Sequence, residues 1–167
     1  SEMCIRDRIM IPHMRSWSPE DPFLYDLHVR MGEDSVESYF AMRKVEVKND
    51  KEGIPRIFLN NEPYFEKGVL DQGYWPDGLY TPPCDEAMIY DIQKMKDLGF
   101  NMIRKHIKIE PQRWYYHCDR IGMLVWQDMV NGGRDYKSWY VTYMATAMEG
   151  MHIRAKDTRT VSYTHLR

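Results

Sequence analysis

The chain has 167 residues and a formal net charge of −2, with charges of both signs spread along its length. This balance argues against a nucleic-acid-binding or anionic-membrane-binding surface. No apolar run approaches the roughly 20 residues that span a bilayer. The few cysteines have neither the number nor the spacing of a disulfide framework or a zinc site. The composition therefore favours none of these classes of protein, and nothing in it indicates a cofactor.

The two ends of the chain need a separate explanation. Residues 1–8 (SEMCIRDR) and 161–167 (VSYTHLR) resemble peptides that arise when sequencing-adapter DNA is translated at the ends of an assembled metagenomic fragment. Ordinary termini are the alternative, but a suspect string at each end favours the artefact, and we exclude both from fold reasoning. On this interpretation the true N-terminus is absent, so the compartment stays open.

Residues 9–52 have the pattern of antiparallel strands. Apolar Leu27 and Val29 alternate with polar His28 and Arg30, which predicts a strand with one solvent-facing side. Two further short runs, 38–40 and 45–48, have the same β-forming composition. The polar, turn-forming segment that follows, residues 49–53, predicts a domain boundary.

Residues 53–160 are expected to alternate strands with helices. Short apolar runs predict strands at 64–70, 100–104 and 123–126. Helices are expected between them, because apolar residues recur there at helical spacing. Strands and helices separated by short breaks indicate parallel βα units. Residues 134–160 fit a third helix only weakly, and partial misassembly of the sequence is the alternative.

The helix boundaries can be predicted from individual residues. Asp85 is placed to cap the first helix, which should end at Gly99. Pro111 should open the second helix, and Gly122 should close it. Functional side chains in parallel βα proteins gather where strands end. Here the strand ends carry Asp71-Gln72, Arg104-Lys105-His106 and Gln127-Asp128.

Several segments, taken together and in this order, resemble glycoside hydrolase family 2. They are 17–25 (WSPEDPFLY), 39–43 (YFAMR), 58–63 (FLNNEP), 67–69 (KGV), 101–104 (NMIR) and 115–122 (YYHCDRIG). The resemblance implies a multidomain protein with β and α/β parts. Residues 9–52 would be the C-terminal part of an immunoglobulin-like β-sandwich. Residues 53–160 would be the first three βα units of an incomplete (β/α)8 barrel.

The resemblance also implies a function. The family comprises retaining exo-glycosidases that hydrolyse β-linked sugars with two glutamates at the ends of the fourth and seventh barrel strands. Both glutamates would lie outside this chain, so the isolated chain is expected to be inactive. A non-catalytic carbohydrate-binding homologue is the alternative. The partner in either case is a carbohydrate, and neither the sugar nor the oligomeric state can be predicted.

Glu62 could be mistaken for a catalytic residue, because an Asn-Glu pair is the family's acid/base signature. Its context predicts otherwise, since Asn60-Asn61 reads as the tight turn of a hairpin and asparagine tolerates positive φ. We therefore expect a structural role for Glu62.

Four strand-end residues are candidates for contact with the sugar. Arg104 matches an arginine of the family; it could donate to a substrate or hold a glutamate ionised, or it could simply pair with a barrel carboxylate. His106 could donate to a sugar hydroxyl or be a solvated loop histidine. Asp128 ends the third strand, where the family carries an acidic residue. Asp71 departs from the family's residues at the end of the first strand.

Two weaker signals concern the surroundings of these residues. Tyr74-Trp75 could line the pocket or pack in the core, because flat rings suit both. The basic cluster of Lys105, Lys108 and Arg113 is most simply a solvated rim, and as a hypothesis it could favour acidic sugars.

Overall fold

The computed structural model describes residues 10–128. Over this range, eight strands and two helices follow one another. They are β1 Tyr25–Met31, β2 Asp34–Phe40, β3 Val45–Asn49, β4 Pro55–Leu59, β5 Glu62–Pro63, β6 Gly68–Asp71, α1 Asp85–Asp97, β7 Met102–Lys105, α2 Gln112–Ile121 and β8 Leu124–Gln127. The predicted adapter-derived ends, 1–8 and 161–167, and the helix predicted within 134–160 lie outside the described residues.

Strands β1 and β2 form an antiparallel hairpin, as predicted. Val29 faces Val36 across the pair. The expected apolar side is not covered within residues 10–128, because Val29 is 51% and Met31 80% exposed. The alternation in sequence therefore predicted the strand but not the exposure of its apolar side.

Strands β3, β4 and β5 form a second antiparallel sheet, in which a two-residue turn joins β4 to β5. Asn60 and Asn61 occupy the turn with φ of 52° and 73°. Positive φ at both positions is what such hairpin turns require, and asparagine adopts it at low cost. The predicted turn is confirmed, and it places Glu62 opposite Leu59.

Strands β6, β7 and β8 form a parallel sheet in sequence order, which confirms the predicted βα pattern. The first strand is shorter than the predicted 64–70 and begins at Gly68. Asn101 explains the difference, because its side chain accepts a hydrogen bond from the Lys67 amide at 2.7 Å and donates one to the Phe65 carbonyl at 3.1 Å. These backbone groups are thus satisfied by a side chain instead of by a strand ladder.

Helices α1 and α2 cover one side of the parallel sheet. The core between them contains Met88, Ile92, Ile103, Trp114, Cys118 and Val125. Gly122 ends α2 with φ of 87°, the left-handed conformation predicted for this position. The predicted cap of α1 is wrong: Cys84 is the N-cap residue and makes no side-chain capping bond. Asp85 is already helical, and its carboxylate pairs with Arg113 on α2 at 2.8 Å.

A buried polar junction joins the N-terminal segment and β2 to α2. Arg43 donates to the Asp119 carboxylate at 3.2 Å, and Tyr39 donates to the same carboxylate at 3.0 Å. The indole of Trp17, fully buried, donates to the Asp119 carbonyl at 2.7 Å. Because these hydrogen bonds converge on one largely buried residue, Asp119, the junction fixes β2 against the helix layer.

Among residues 10–128, neither helix is long and apolar enough to cross a membrane.

The two cysteines of this range should differ sharply in reactivity. Cys84 is exposed, whereas Cys118 is buried and its burial raises the pKa of its thiol well above the usual value. Since the thiolate is the reactive form, we expect iodoacetamide to modify Cys84 in the native protein and Cys118 only after unfolding. Peptide mapping by mass spectrometry checks this, and native alkylation of Cys118 would contradict the packing of α2.

Candidate sugar-facing strand ends

The carboxyl ends of β6, β7 and β8 bring the predicted site residues to one edge of the parallel sheet. In the register of the sheet, Leu70, Arg104 and Trp126 lie side by side, and Asp71, Lys105 and Gln127 form the next row. Successive residues of a strand point to opposite faces. The two rows therefore present different surfaces, one facing away from the helices and one facing them.

Arg104 and Asp128 form the polar pair on the face away from the helices. The guanidinium donates to the carboxylate through Nε at 3.1 and 3.2 Å and through Nη2 at 3.0 Å. The side chains are 48% and 24% exposed, and the hydrogen bond from Arg104 to Asp128 raises the pKa of the arginine. The ion pair considered for Arg104 is thus present, and its partner is another predicted site residue.

His106 lies beside the loop that follows β6. Its Nδ1 is 3.2 Å from Nε2 of Gln72, and its amide donates to the Asp71 carbonyl at 2.9 Å. The side-chain amide nitrogen of Gln72 can only donate, so its contact with His106 is a hydrogen bond when Nδ1 is the unprotonated ring nitrogen. Nε2 is then the ring nitrogen that carries the proton and is available to donate to a ligand.

Asp71 is separated from the Arg104 pair because its carboxylate turns toward the helices. Its Oδ2 lies 2.5 Å from Nζ of Lys105, and its Oδ1 accepts from the Gly73 amide at 2.7 Å. The predicted sugar contact of Asp71 stays a prediction, and the contacts present are those of a residue that holds the start of a loop.

A buried charge network, formed by Asp71, Lys105, Lys108 and Glu110, lies beneath this edge. Nζ of Lys105 and Nζ of Lys108 are each 2.9 Å from Oε1 of Glu110. The lysine side chains are only 1% and 4% exposed, and the Glu110 side chain is 2% exposed. Two cations and two carboxylates balance, which is the condition for keeping charges buried.

This network corrects the expectation of a solvated basic rim for Lys105 and Lys108, whereas the Arg113 side chain is 56% exposed. Lys105 and Lys108 are buried and paired, and Arg113 pairs with Asp85 on α1. None of the three cations therefore stands ready for an acidic sugar. The alternation of the strand could have predicted this burial. Ile103 and Lys105 lie on the same face, so Lys105 faces the helices and needs buried acidic partners.

Gln127 links the third strand to the same edge and was not among the predicted site residues. It is fully buried, its Nε2 donates to the Lys108 carbonyl at 2.7 Å, and its Oε1 accepts from the hydroxyl of Tyr115. The Glu110 amide donates to that hydroxyl at 3.2 Å. The loop between β7 and α2 is therefore tied to β8 through side chains.

The enclosed space behind the sheet is too small for a sugar. A cavity of about 30 Å³ lies between β6, β7 and the helices, with Asp71, Asp91, Lys105 and Glu110 among its lining residues. Such a space holds about one or two water molecules, whereas ligand sites measure roughly 300–1,000 Å³. The open strand-end edge is thus the better candidate for a carbohydrate. Among the described residues, no cluster suited to a metal ion is present.

Glu62 lies outside this edge, in the β4–β5 hairpin of a different sheet. Glu62 is exposed there and follows a tight turn. We therefore expect Glu62→Gln to change the turnover of the full-length protein by less than about twofold, whereas loss of a catalytic acid typically reduces turnover by roughly a thousandfold. Steady-state hydrolysis of an aryl glycoside measures this. A loss near a thousandfold would show that the hairpin residue acts in catalysis.

Comparison with known proteins identifies the class. No family model matches the chain. It is 34% identical over 114 residues to a β-galactosidase of Leuconostoc mesenteroides, covering 64% of the chain and 10% of the relative. Two solved structures share the fold. A GH2 β-galacturonidase of Eisenbergiella tayi has a TM-score of 0.72 at 24% identity, and the match covers 86% of this chain and 27% of that chain. A β-glucuronidase of Parabacteroides merdae has a TM-score of 0.68 at 23% identity, and the match covers 83% of this chain and 18% of that chain.

These relatives are multidomain enzymes that act on glycosides, and the described residues correspond to a β-rich part of them. In sequence and in fold, the chain is similar to members of glycoside hydrolase family 2. It spans about a tenth of the length of the curated relative that it matches.

Proposed function

We propose that this chain is part of a retaining exo-glycosidase that hydrolyses O-glycosyl bonds of β-linked sugars. The observation that carries the proposal is the parallel β6–β7–β8 sheet, whose carboxyl edge gathers Arg104, His106 and Asp128 in a chain related to β-galactosidases. In this proposal the sheet begins a (β/α)8 barrel, residues 9–52 end an immunoglobulin-like sandwich, and residues 53–160 belong to the barrel. The two catalytic glutamates lie on later strands.

The proposed role of the edge is to bind and orient the sugar. The guanidinium of Arg104 has five N–H groups, of which Asp128 engages the one on Nε and one of the two on Nη2. The remaining donors can reach a sugar hydroxyl or a catalytic carboxylate, and Asp128 holds the guanidinium plane in one orientation. A carboxylate that accepts from arginine stays ionised at neutral pH, as a nucleophile must.

The test uses the continuous reading frame of the source DNA, expressed as the full-length protein. We expect hydrolysis of at least one p-nitrophenyl β-glycoside among the galactoside, glucoside, mannoside and glucuronide, with retained anomeric configuration by NMR. Arg104→Gln should reduce kcat/KM by roughly a hundredfold, because it removes a fixed charge-assisted contact at the sugar. Sugar binding without any hydrolysis would instead establish the non-catalytic homologue.

A further inference from the structure

The loop between β6 and α1 carries two exposed aromatic rings that the core does not use. Tyr74 is 58% and Tyr80 55% exposed. Their ring centroids are 4.9 Å apart at an interplanar angle of 72°, and the Tyr74 hydroxyl donates to the Tyr80 hydroxyl at 3.0 Å. Exposed tyrosines arranged as a contacting pair present apolar ring surface together with polar hydroxyls.

The backbone holds this pair in place. Trp75 and Leu79 exchange two backbone hydrogen bonds, at 2.8 and 3.0 Å, so the residues on either side of them are brought together. Trp75 packs against the core between the sheet and the helices. The two rings therefore sit at the mouth of a closed, anchored loop, and little conformational freedom is lost when they bind a ligand.

The buried charge network supports the same loop from below. Lys108 donates to the Gly73 carbonyl, and its Nζ lies 5.4 Å from the centroid of the Tyr80 ring. Gly73 directly precedes Tyr74, and Gln72 contacts His106 at the strand-end edge. The tyrosine pair is thus continuous with the proposed sugar-binding edge.

We propose that Tyr74 and Tyr80 form a stacking subsite for a sugar ring, next to the site of bond cleavage. Resting on the proposed function, this assigns the subsite to the sugar that leaves when an exo-glycosidase cleaves a disaccharide. Because the rings lie at 72° to each other, one of them can stack on the apolar face of a sugar while the other contacts the edge of the same sugar. The pair is too small for a stable protein interface, which needs about 800 Å² from each partner.

The first test compares variants of the full-length protein on two substrates that carry the terminal sugar found in the p-nitrophenyl screen, a disaccharide and the methyl β-glycoside. For a galactosidase these are lactose and methyl β-D-galactopyranoside, and for another sugar the corresponding pair replaces them. We expect Tyr80→Ala and Tyr74→Ala to raise KM for lactose about tenfold and to change kcat by less than about twofold. KM for the methyl glycoside should not change, because a methyl group cannot stack. Tyr80→Phe keeps the ring and should retain most of the lactose affinity.

Tyr90→Ala is the matched control. Tyr90 is 61% exposed, lies on α1 and has Nζ of Lys94 5.6 Å from its ring centroid. Both KM values should stay at the parent level in this variant. Equal KM changes for the two substrates, or no change in Tyr74→Ala and Tyr80→Ala, would overturn the subsite.

A binding measurement separates this inference from the proposed function. If the full-length protein hydrolyses no glycoside, the proposed function fails, and saturation-transfer NMR with lactose and cellobiose still tests the rings. Signal that Tyr80→Ala abolishes and Tyr90→Ala retains supports the subsite. The subsite is overturned if the parent protein gives no signal or if Tyr80→Ala leaves the signal unchanged. It is also overturned if the tyrosine variants only lower the thermal stability, because that result would indicate a packing contact.

Gly73 offers a second route to the same subsite. A methyl group at Gly73, where φ is +65°, would overlap Oε1 of Glu110 and lie 2.9 Å from Nζ of Lys108. Gly32 has φ of +62° and open space around it. We expect Gly73→Ala to raise KM for lactose at least fivefold relative to Gly32→Ala, which carries the same backbone strain. Equal values would show that the network does not brace the rings.

Discussion

Arg43→Ala is expected to destabilise the protein by about 3–5 kcal/mol, the range seen when one partner of a buried ion pair is removed. The Arg43 and Asp119 side chains are only 2% and 9% exposed. Truncation of the arginine leaves the carboxylate away from water and removes the cation that lies 4.4 Å from the centroid of the Trp17 ring. Urea unfolding followed by tryptophan fluorescence measures the loss, since Trp17 reports on this junction.

Arg15→Ala is the matched control, because Arg15 makes the same kinds of contact at the surface. It pairs with Asp21 and lies 4.5 Å from the centroid of the Phe23 ring, but its side chain is 55% exposed. Exposed ion pairs contribute little because water competes for both charges, so this variant should unfold at the parent's urea concentration. Similar losses in both variants would mean that burial does not set the strength of the junction.

The same comparison shows why part of the fold could be predicted from the sequence and part could not. The Asn60-Asn61 turn and the Gly122 cap depend on the backbone preferences of single residues, and both are confirmed by their φ angles. The Arg43–Asp119 pair joins residues 76 positions apart. No local pattern encodes such a contact, because it exists only after the sheets and helices have packed.

The site was predicted unevenly for a related reason. Parallel strand order predicted that the strand ends carrying Asp71, Arg104 and Asp128 lie along one edge, and the register confirms this order of the three strands. The side chains then divide between the two faces of the sheet, which separates Asp71 from Arg104. Treating lysines as solvent-exposed by default concealed the network, although strand alternation already placed Lys105 on the helix side. The sugar contacts of the four candidate residues stay predictions.

Lys105→Met tests the network directly, and we expect a loss of about 3–5 kcal/mol at pH 7. Methionine keeps most of the volume of the side chain, so the effect isolates the charge. In this variant, Lys108 is the one remaining lysine of the network. It must balance two carboxylates, that of Asp71 and that of Glu110, whose side chain is only 2% exposed. The loss should appear in urea unfolding of the protein.

The pH dependence of that loss identifies its cause. Without Lys105, the carboxylates of Asp71 and Glu110 share a single lysine, so the network carries an uncompensated negative charge at pH 7. Protonation of a carboxylate removes this charge, so the penalty should decrease as the pH is lowered. The difference between the parent and Lys105→Met should therefore shrink between pH 7 and about pH 4.

Lys48→Met provides the control for this pair of measurements. Lys48 also contacts a carboxylate, Glu46 at 2.5 Å, and lies 4.3 Å from the centroid of the Phe58 ring, but its side chain is 43% exposed. Its replacement should change stability little at either pH, because both charges remain hydrated. A loss in Lys105→Met that is independent of pH would point to packing, and the network would then not act through its charges.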